Sequence, residues 1–442
     1  MRLFRYIRKS AAIACLAVTA CLAVSCGEKD PDFRIEREPG ANQGASSRRP
    51  QGSKKKVLLF YECGFNSLYK YIDANINEQL VEGYVPGDSF TSDVLLAYTK
   101  IASSVKYAPA KSYLKRIYKD KEGKVAMDTL KVYDESVIAA SGKQMRTVLE
   151  DVRNAFPGCD YGMVFSSHGS GWLPCGYYNN PSDYENNHGM AMMTAVRRLS
   201  GVPTEPITEG IPTRSLGQDK APGGDHEMTV GEFASGIPYH LDYILFDMCF
   251  TAGVEVLHGL KDVTDYVGAS AAEVLADGMF DYTKITSYLL GRESYDLAGL
   301  MRDSFERYDK LSGDYRSSTV SLLSTEGADN LASTCRGLFG KYRDALAEAP
   351  VEDIQRYFRF GRHYFYDLYD TFVKCGASGE DLARLSEAID GCVAYKASTP
   401  YLLGIKIDTH SGLSTYLPAA GTDLLDRLYK EESWNKATEM VR

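Results

Sequence analysis

Apolar positions in this chain gather into short runs set between polar, periodic stretches. Val57 to Tyr61 is a compact apolar run behind three lysines and predicts a buried strand. "NSLYKYIDANINEQL" follows with helical spacing, and Asp93 to Tyr98 is a second strand candidate. Tyr113 to Tyr118 and Lys124 to Val132, split by "KDKEGK", predict a hairpin. Ser141 and Gln144 form a capping box. Behind it Met145, Val148, Leu149, Val152 and Phe156 make an apolar stripe that Pro157-Gly158 ends. Tyr161 to Ser166, Tyr243 to Met248 and Asp265 to Ala269 read as strands, with helical spacing at Val254, Leu257 and Leu260 between the last two. Further strands are expected at Ser317 to Leu323, Tyr401 to Ile407 and Leu413 to Leu417, among helical stretches. Strands alternating with helices predict an α/β fold with a mostly parallel central sheet. No internal repeat is present.

Two regions break this rhythm. Leu173 to Met228 is irregular and rich in Gly, Pro, Asn and Asp, with one possible helical turn near Met190 to Arg197. Loops of that length in compact domains are usually functional or disordered. At the other end, Arg2, Arg5, Arg8 and Lys9 precede an apolar run from Ala11 to Val24, the layout of a secretory signal. Ala23-Val24-Ser25-Cys26 resembles a bacterial lipobox, and Cys21 is the rival lipid site. The expected organisation is a lipoprotein signal over 1–25, a flexible tether over 26–56 and a domain over 57–442. Within that domain 173–228 is a linker loop, and the part from about 290 is an α/β extension. The tether contains "EREPGANQGASSRRPQGSKKK", too polar to order itself. These features predict lipid anchoring in a bacterial cell envelope.

Charge and cysteine content narrow the functions. Of 442 residues, enough remain after the tether for a large core, and the net charge of −9 argues against nucleic-acid partners. There are ten cysteines and no C-x-x-C pair, so neither a disulfide framework nor a zinc site is implied.

Candidate chemistry lies at two strand ends. "SSHGSGW" places His168 just past one apolar run, and "LFDMCF" places Cys249 just past another. In open parallel sheets, functional groups collect beyond the strand carboxyl ends. A cysteine nucleophile needs a neighbouring base or a lowered pKa, and the start of a following helix would favour its thiolate. Taken singly, a cysteine in such a run is more often a small core residue and a histidine before glycine more often a turn residue; the two together at strand ends favour chemistry.

"YGMVFSSHGSGW" and "YILFDMCFTAGVEV" resemble the histidine and cysteine blocks of the clostripain family of cysteine peptidases. "VLLFYECGFNSLYKYI", "YFYDLYDTF" and "SGLSTYLP" resemble other segments of that family, with Met248 standing where Ala is usual. The resemblance implies a caspase-like αβα sandwich and an exported endopeptidase that cleaves after Arg, and secondarily Lys. It implies Cys249 as nucleophile, His168 as general base and acid, and the N–H groups of Gly169 and Cys249 as oxyanion hole. Asp247 and Glu273 would be the acidic floor of the specificity pocket and Ser270 part of its lining. On sequence alone, Asp247 reads equally as a cap on the following helix. The resemblance further implies activation by self-cleavage in the linker after a basic residue; Gly169 to Val196 holds no Lys or Arg, so the first candidates are Arg197 and Arg198, then Arg214 and Lys220, with Arg198 or Arg214 expected, giving two chains that stay associated. Arg34 and Arg37 would offer sites for shedding.

Other histidines offer no metal spacing. His226-Glu227 begins like a zinc-protease motif, but Val230 stands where the second histidine is required. His188, His240, His258, His363 and His410 lack partners at ligand spacing. No cofactor is implied; calcium dependence is known in the family, but no oxygen-ligand loop can be assigned. The rival reading is a surface lipoprotein without catalysis that binds proteins or glycans, with "QRYFRFGRHYFYDLYDTF" as a stacking surface.

Overall fold

The computed structural model describes residues 54–102, 108–177, 181–182, 185, 216–220, 225–359 and 364–442. The strands are β1 (Lys56–Gly64), β2 (Val94–Ile101), β3 (Ser112–Lys119), β4 (Val125–Tyr133), β5 (Asp160–Ser166) and β6 (Leu216–Asp219). They continue with β7 (His226–Met228), β8 (Leu241–Asp247), β9 (Thr264–Ala269), β10 (Thr319–Ser324), β11 (Tyr366–Asp367) and β12 (Val393–Ser398). Nine of them form one sheet in the order β12-β10-β9-β8-β5-β1-β2-β3-β4. The centre, β2-β1-β5-β8-β9, is parallel. The predicted hairpin β3-β4 closes one edge and β10-β12 the other, both antiparallel.

The central strands are buried along both faces, which is why they read as continuous apolar runs rather than alternating ones. One face carries Leu59, Tyr61, Phe165 and Phe246 and packs against helices Gly142–Ala155 and Val254–Leu260. The other carries Leu58, Phe60, Val164 and Leu245 and packs against helix Leu297–Asp309 through Leu300 and Met301. The result is the expected three-layer α/β sandwich. Ser141 caps the helix as predicted, its Oγ accepting the Gln144 N–H at 3.2 Å.

Three expectations change. Tyr401 to Ile407 is not a sheet strand but a small hairpin, Tyr401–Leu402 against Ile405–Lys406, turned by Leu403 and Gly404 at positive φ. The edge strand is β12, whose half-exposed Val393-Ala-Tyr-Lys-Ala-Ser398 lacks the apolar run that marks a central strand. Leu413 to Leu417 contributes only Ser414–Thr415, which pairs with β11. The linker also contains regular structure, since β6 and β7 pair antiparallel within it. The possible turn near Met190 to Arg197 lies outside the described residues. In the aromatic-rich stretch, Phe358, Tyr364, Phe365 and Tyr366 are buried core rather than a stacking surface.

Parallel strands diverge at β1, which sends the chain to β2 on one side and has β5 on the other. That reversal opens a crevice at the strand carboxyl ends, where ligands bind in such sheets.

Candidate active site

The crevice is a cleft of about 460 Å³ whose lining includes Ser67, His168, Asp247, Cys249, Glu273 and Val274. Asp247 is the last residue of β8, and the others come from the segments after central strands: Ser67 after β1, His168 after β5, Cys249 after β8, Glu273 and Val274 after β9. The two strand-end residues singled out in the sequence therefore face one cavity.

A polar clamp joins the first of these segments. Asn66 Nδ2 donates to the carbonyls of Cys63 (2.7 Å) and Gln218 (2.9 Å) and to Ser167 Oγ (3.2 Å). Ser167 Oγ accepts the Gln218 N–H at 3.0 Å and donates to the Cys63 carbonyl at 3.0 Å. The β6 end is tied to β2 by a fully buried ion pair, Lys100 Nζ to Asp219 Oδ2 at 3.0 Å. Asp219 also accepts the Ala139 N–H. This network holds the turns on either side of His168. Asn66, Ser67, Ser167 and Gln218 were not singled out from sequence; the "FNSL" and "SSHG" pairing becomes visible only once β1 and β5 are neighbours.

His168 Nε2 lies 2.8 Å from Ser67 Oγ. Burial, then the positive charge of Lys220, hold its imidazole below the ordinary 6.5, against a pull upward from Asp225. Cys249 Sγ accepts the Val274 N–H at 3.2 Å and approaches the Val274 carbonyl at 3.7 Å. Burial pushes the thiol up to about 12; Glu273 and Asp247 push the same way, and the Val274 N–H and Arg359 oppose them. The helix expected to lower it begins only at Val254, with Gly253 as its cap, so no helix end reaches the sulfur. At neutral pH the resting pair is thus a thiol and a neutral imidazole, each engaged with a different partner.

Gly169 fits because nothing larger could. A Cβ there would stand 2.7 Å from Met248 Cε and 2.9 Å from the Cys249 carbonyl oxygen. The histidine and cysteine turns touch through this glycine. Phe250, just past Cys249, is a non-glycine residue at φ +57°. Its ring stacks on Phe365 at 4.5 Å, and its N–H donates to the Ala272 carbonyl, so packing holds the sharp turn that presents Cys249.

Asp247 stands at the base of the cleft, its carboxylate held by the Met279 N–H and, at 2.9 Å, the Tyr282 hydroxyl. Gly278, at φ +81°, leaves room for it; a Cβ there would be 2.6 Å from Asp247 Oδ2. Asp247 therefore does not cap the helix after Cys249. Glu273 lines the cleft but is paired, Oε2 lying 2.7 Å from Arg359 Nε. Ser270 is fully buried, its hydroxyl on Ala272 O and Thr319 Oγ1, and is not among the cleft-lining residues. Lys220 lies at the cleft, 3.4 Å from Asp225. Arg197, Arg198 and Arg214 lie outside the described residues, as do His188 and His363. His240, His258 and His410 bond Asp265, Ser433 and Tyr357 respectively. Among the described residues no group of three His, Cys, Asp or Glu side chains is placed to hold a metal.

A thiol and an imidazole on adjacent strand ends of a parallel sheet, above a buried carboxylate, define a thiol-dependent hydrolase on an α/β sandwich. The profile of the clostripain family matches residues 60–194 and 205–399, and the chain belongs to that family, as a cysteine protease. It is similar in structure to an inactive zymogen C11 protease from Parabacteroides distasonis, with 25% identity and a TM-score of 0.69. That match covers 87% of this chain and 98% of the other. It is also similar in fold to iotapain, a secreted C11 cysteine protease from Bacteroides thetaiotaomicron. There the identity is 24%, the TM-score 0.66 and the coverage 87% and 99%. A complex of a secreted C11 protease from the same organism with an irreversible peptide inhibitor matches at 21% identity, TM-score 0.66, over 87% and 99%. No match was found among curated proteins.

Proposed function

We propose that this protein is an exported endopeptidase that cleaves after Arg, and secondarily Lys, with Cys249 as nucleophile and His168 as general base and acid. The observation that carries the reading is the shared cleft, with both reactive groups on its wall and the Asp247 carboxylate at its base. His168 leaves Ser67 to take the thiol proton as Cys249 attacks the scissile carbonyl, then returns that proton to the leaving amine. The N–H groups of Gly169 and Cys249 receive the oxyanion, where charge exists only in the tetrahedral state.

A basic side chain before the scissile bond reaches toward Asp247. Arg suits a carboxylate best, because its planar fork bonds in bidentate fashion. Arg359 already occupies the other acid of the cleft, Glu273, and so acts as an internal competitor. Its side chain is 40% exposed, so displacing it costs about 0–1 kcal/mol. Arg359→Ala should lower KM for an Arg-ending reporter by up to about fivefold, the equivalent of the upper end of that energy. An unchanged KM would remove the competitor role.

The protein matures by cutting itself in the linker after Arg197, Arg198, Arg214 or Lys220, and it is held to a membrane through a lipid on Cys26. The resting thiol at about 12 and the engagement of His168 by Ser67 support a latent form before that cut. One mass-spectrometry comparison checks both parts, with wild type and Cys249→Ala expressed side by side. Wild type should give two fragments divided at a basic linker residue, and the variant one intact domain. Both should carry a lipidated amino-terminal cysteine. Identical fragments from both proteins would end self-processing, and an unmodified amino terminus would end the anchor.

A further inference from the structure

Glu62 stands near the end of β1, where the strand register sets it beside Ser166 of β5, and Ser166 beside Asp247 of β8. Directly paired residues of parallel strands point to the same face. The three side chains form a row across the strand ends, on the face that carries Leu58, Phe60, Val164 and Leu245. Ser166 and Asp247 line the cleft. Glu62 is fully buried, and neither carboxylate oxygen has a hydrogen-bond partner among the described residues. A buried acid without partners costs free energy that an apolar residue at the same position would not. Its neighbours on that face of β1, Leu58 and Phe60, are apolar. Glu62 does not line the cleft itself; it stands beside Ser166, one strand away from where the row meets the cleft.

We propose that Glu62 is a second acid of the specificity pocket, which gives up its proton when a basic side chain enters and shares that cation with Asp247. The inference rests on the basic specificity proposed above and extends it to a residue outside the histidine and cysteine blocks. The groups facing Glu62 are Thr99 of β2, Ser166 of β5, Asp247 of β8 and the Tyr282 hydroxyl on Asp247. Arg307 acts on Asp247 from behind, while its guanidinium bonds the Gly278 and Phe280 carbonyls. No cation directly faces the two acids among these groups, so the empty pocket disfavours negative charge on both, although Ser166 of β5 stands between them. Burial, then the Asp247 charge, push the Glu62 carboxyl well up, against a smaller pull from the Ser166 hydroxyl. An entering guanidinium reverses that balance: Glu62 releases one proton to solvent, and two carboxylates then hold one cation. Arg gains more than Lys, because its fork can bridge two acids. KM for an Arg-ending substrate should therefore fall as pH rises from 6 to 8.5, since less of the Glu62 carboxyl must be deprotonated by binding.

The test compares wild type, Glu62→Gln and Glu62→Met on Arg-, Lys- and Leu-ending reporters from pH 6 to 8.5, with thermal unfolding of each. Wild type is measured first. Equal turnover of Arg- and Leu-ending reporters by wild type would end the basic-specificity reading itself, whatever Glu62 does. Given basic preference, both variants should lose at least tenfold in the ratio of Arg to Leu turnover, narrow the Arg-to-Lys preference, and flatten the fall of KM with pH. Glu62→Met should unfold no earlier than wild type, because an unpartnered acid has been replaced by an apolar side chain. Folded variants with the wild-type ratio and pH dependence would overturn the proposal. So would failure of both variants to fold, which would make Glu62 a structural residue.

Discussion

Cys249→Ala and His168→Ala should each abolish peptide hydrolysis, by about 10⁴-fold or more, because a nucleophile and its base act as a unit. Neither substitution should unfold the protein. Cys249 is only part-buried, at the margin of the larger core cluster, and the hydrogen-bonding neighbour of its sulfur is the Val274 backbone, so alanine in its place removes little packing. His168 is held through its backbone, where its carbonyl accepts the Gly217 N–H at 3.1 Å, and the surrounding Asn66–Ser167–Gln218 clamp does not use the imidazole. Steady-state rates on an Arg-ending fluorogenic peptide, beside a melting curve, check both parts. A purified, folded Cys249→Ala protein that cleaves at the wild-type rate would refute the assignment. The pH profile carries a second signature. The imidazole must be neutral to accept the thiol proton, and burial and Lys220 hold it below 6.5. On a Leu-ending reporter, whose binding involves neither Asp247 nor Glu62, the acid limb of kcat/KM should therefore have its midpoint below 6.5, with activity lost as pH falls through it. With the thiol at about 12, the resting enzyme gains no thiolate across the neutral range. The proposed mechanism therefore calls for His168 to move from Ser67 to Cys249 rather than for a preformed ion pair.

The sandwich was largely readable in the sequence because its central strands are buried on both faces. Leu58 to Tyr61, Met163 to Phe165 and Ile244 to Phe246 have no solvent side to alternate with. Edge elements were harder: β12 alternates with exposed Ala394 and Lys396, and nothing in that pattern separates it from a loop. For the site, the two reactive residues stood out because each ends an apolar run. Their supports did not, because Asn66, Ser67 and Gln218 gain meaning from β1, β5 and β6 meeting in space. Position in a motif also misled. Ser270 follows β9 as expected, yet its side chain turns to Thr319. Glu273 reaches the cleft, but with an arginine from 86 positions further along the chain against it. The expected help from a helix end failed for a local reason: the chain after Cys249 runs through the turn at Phe250 before Gly253 starts the helix.

Asp247→Asn should leave the fold and the Cys249 chemistry in place and remove most of the preference for basic residues. Asparagine is the same size and can still accept the Met279 N–H, while its amide can donate to the Tyr282 hydroxyl, so the lining near Gly278 is kept. What disappears is a buried negative charge. Deleting one partner of a desolvated charge pair costs about 2–5 kcal/mol, which is about 30-fold to several thousand-fold in kcat/KM for an Arg-ending reporter. A Leu-ending reporter makes no use of that charge, so the loss should be selective. Stability should move the other way. Burial raises the Asp247 carboxyl above 3.8, with the Met279 N–H, Tyr282 and Arg307 opposing in that order. The folded state then binds a proton more readily than the unfolded one, so stability falls as pH rises from 3.8 through the folded value. Asparagine has no proton to lose, so the variant should melt at or above the wild-type temperature at pH 7.5. Equal losses for Arg- and Leu-ending reporters, or a melting point well below wild type, would mean that Asp247 serves the architecture of the turn and that basic substrates are recognised elsewhere.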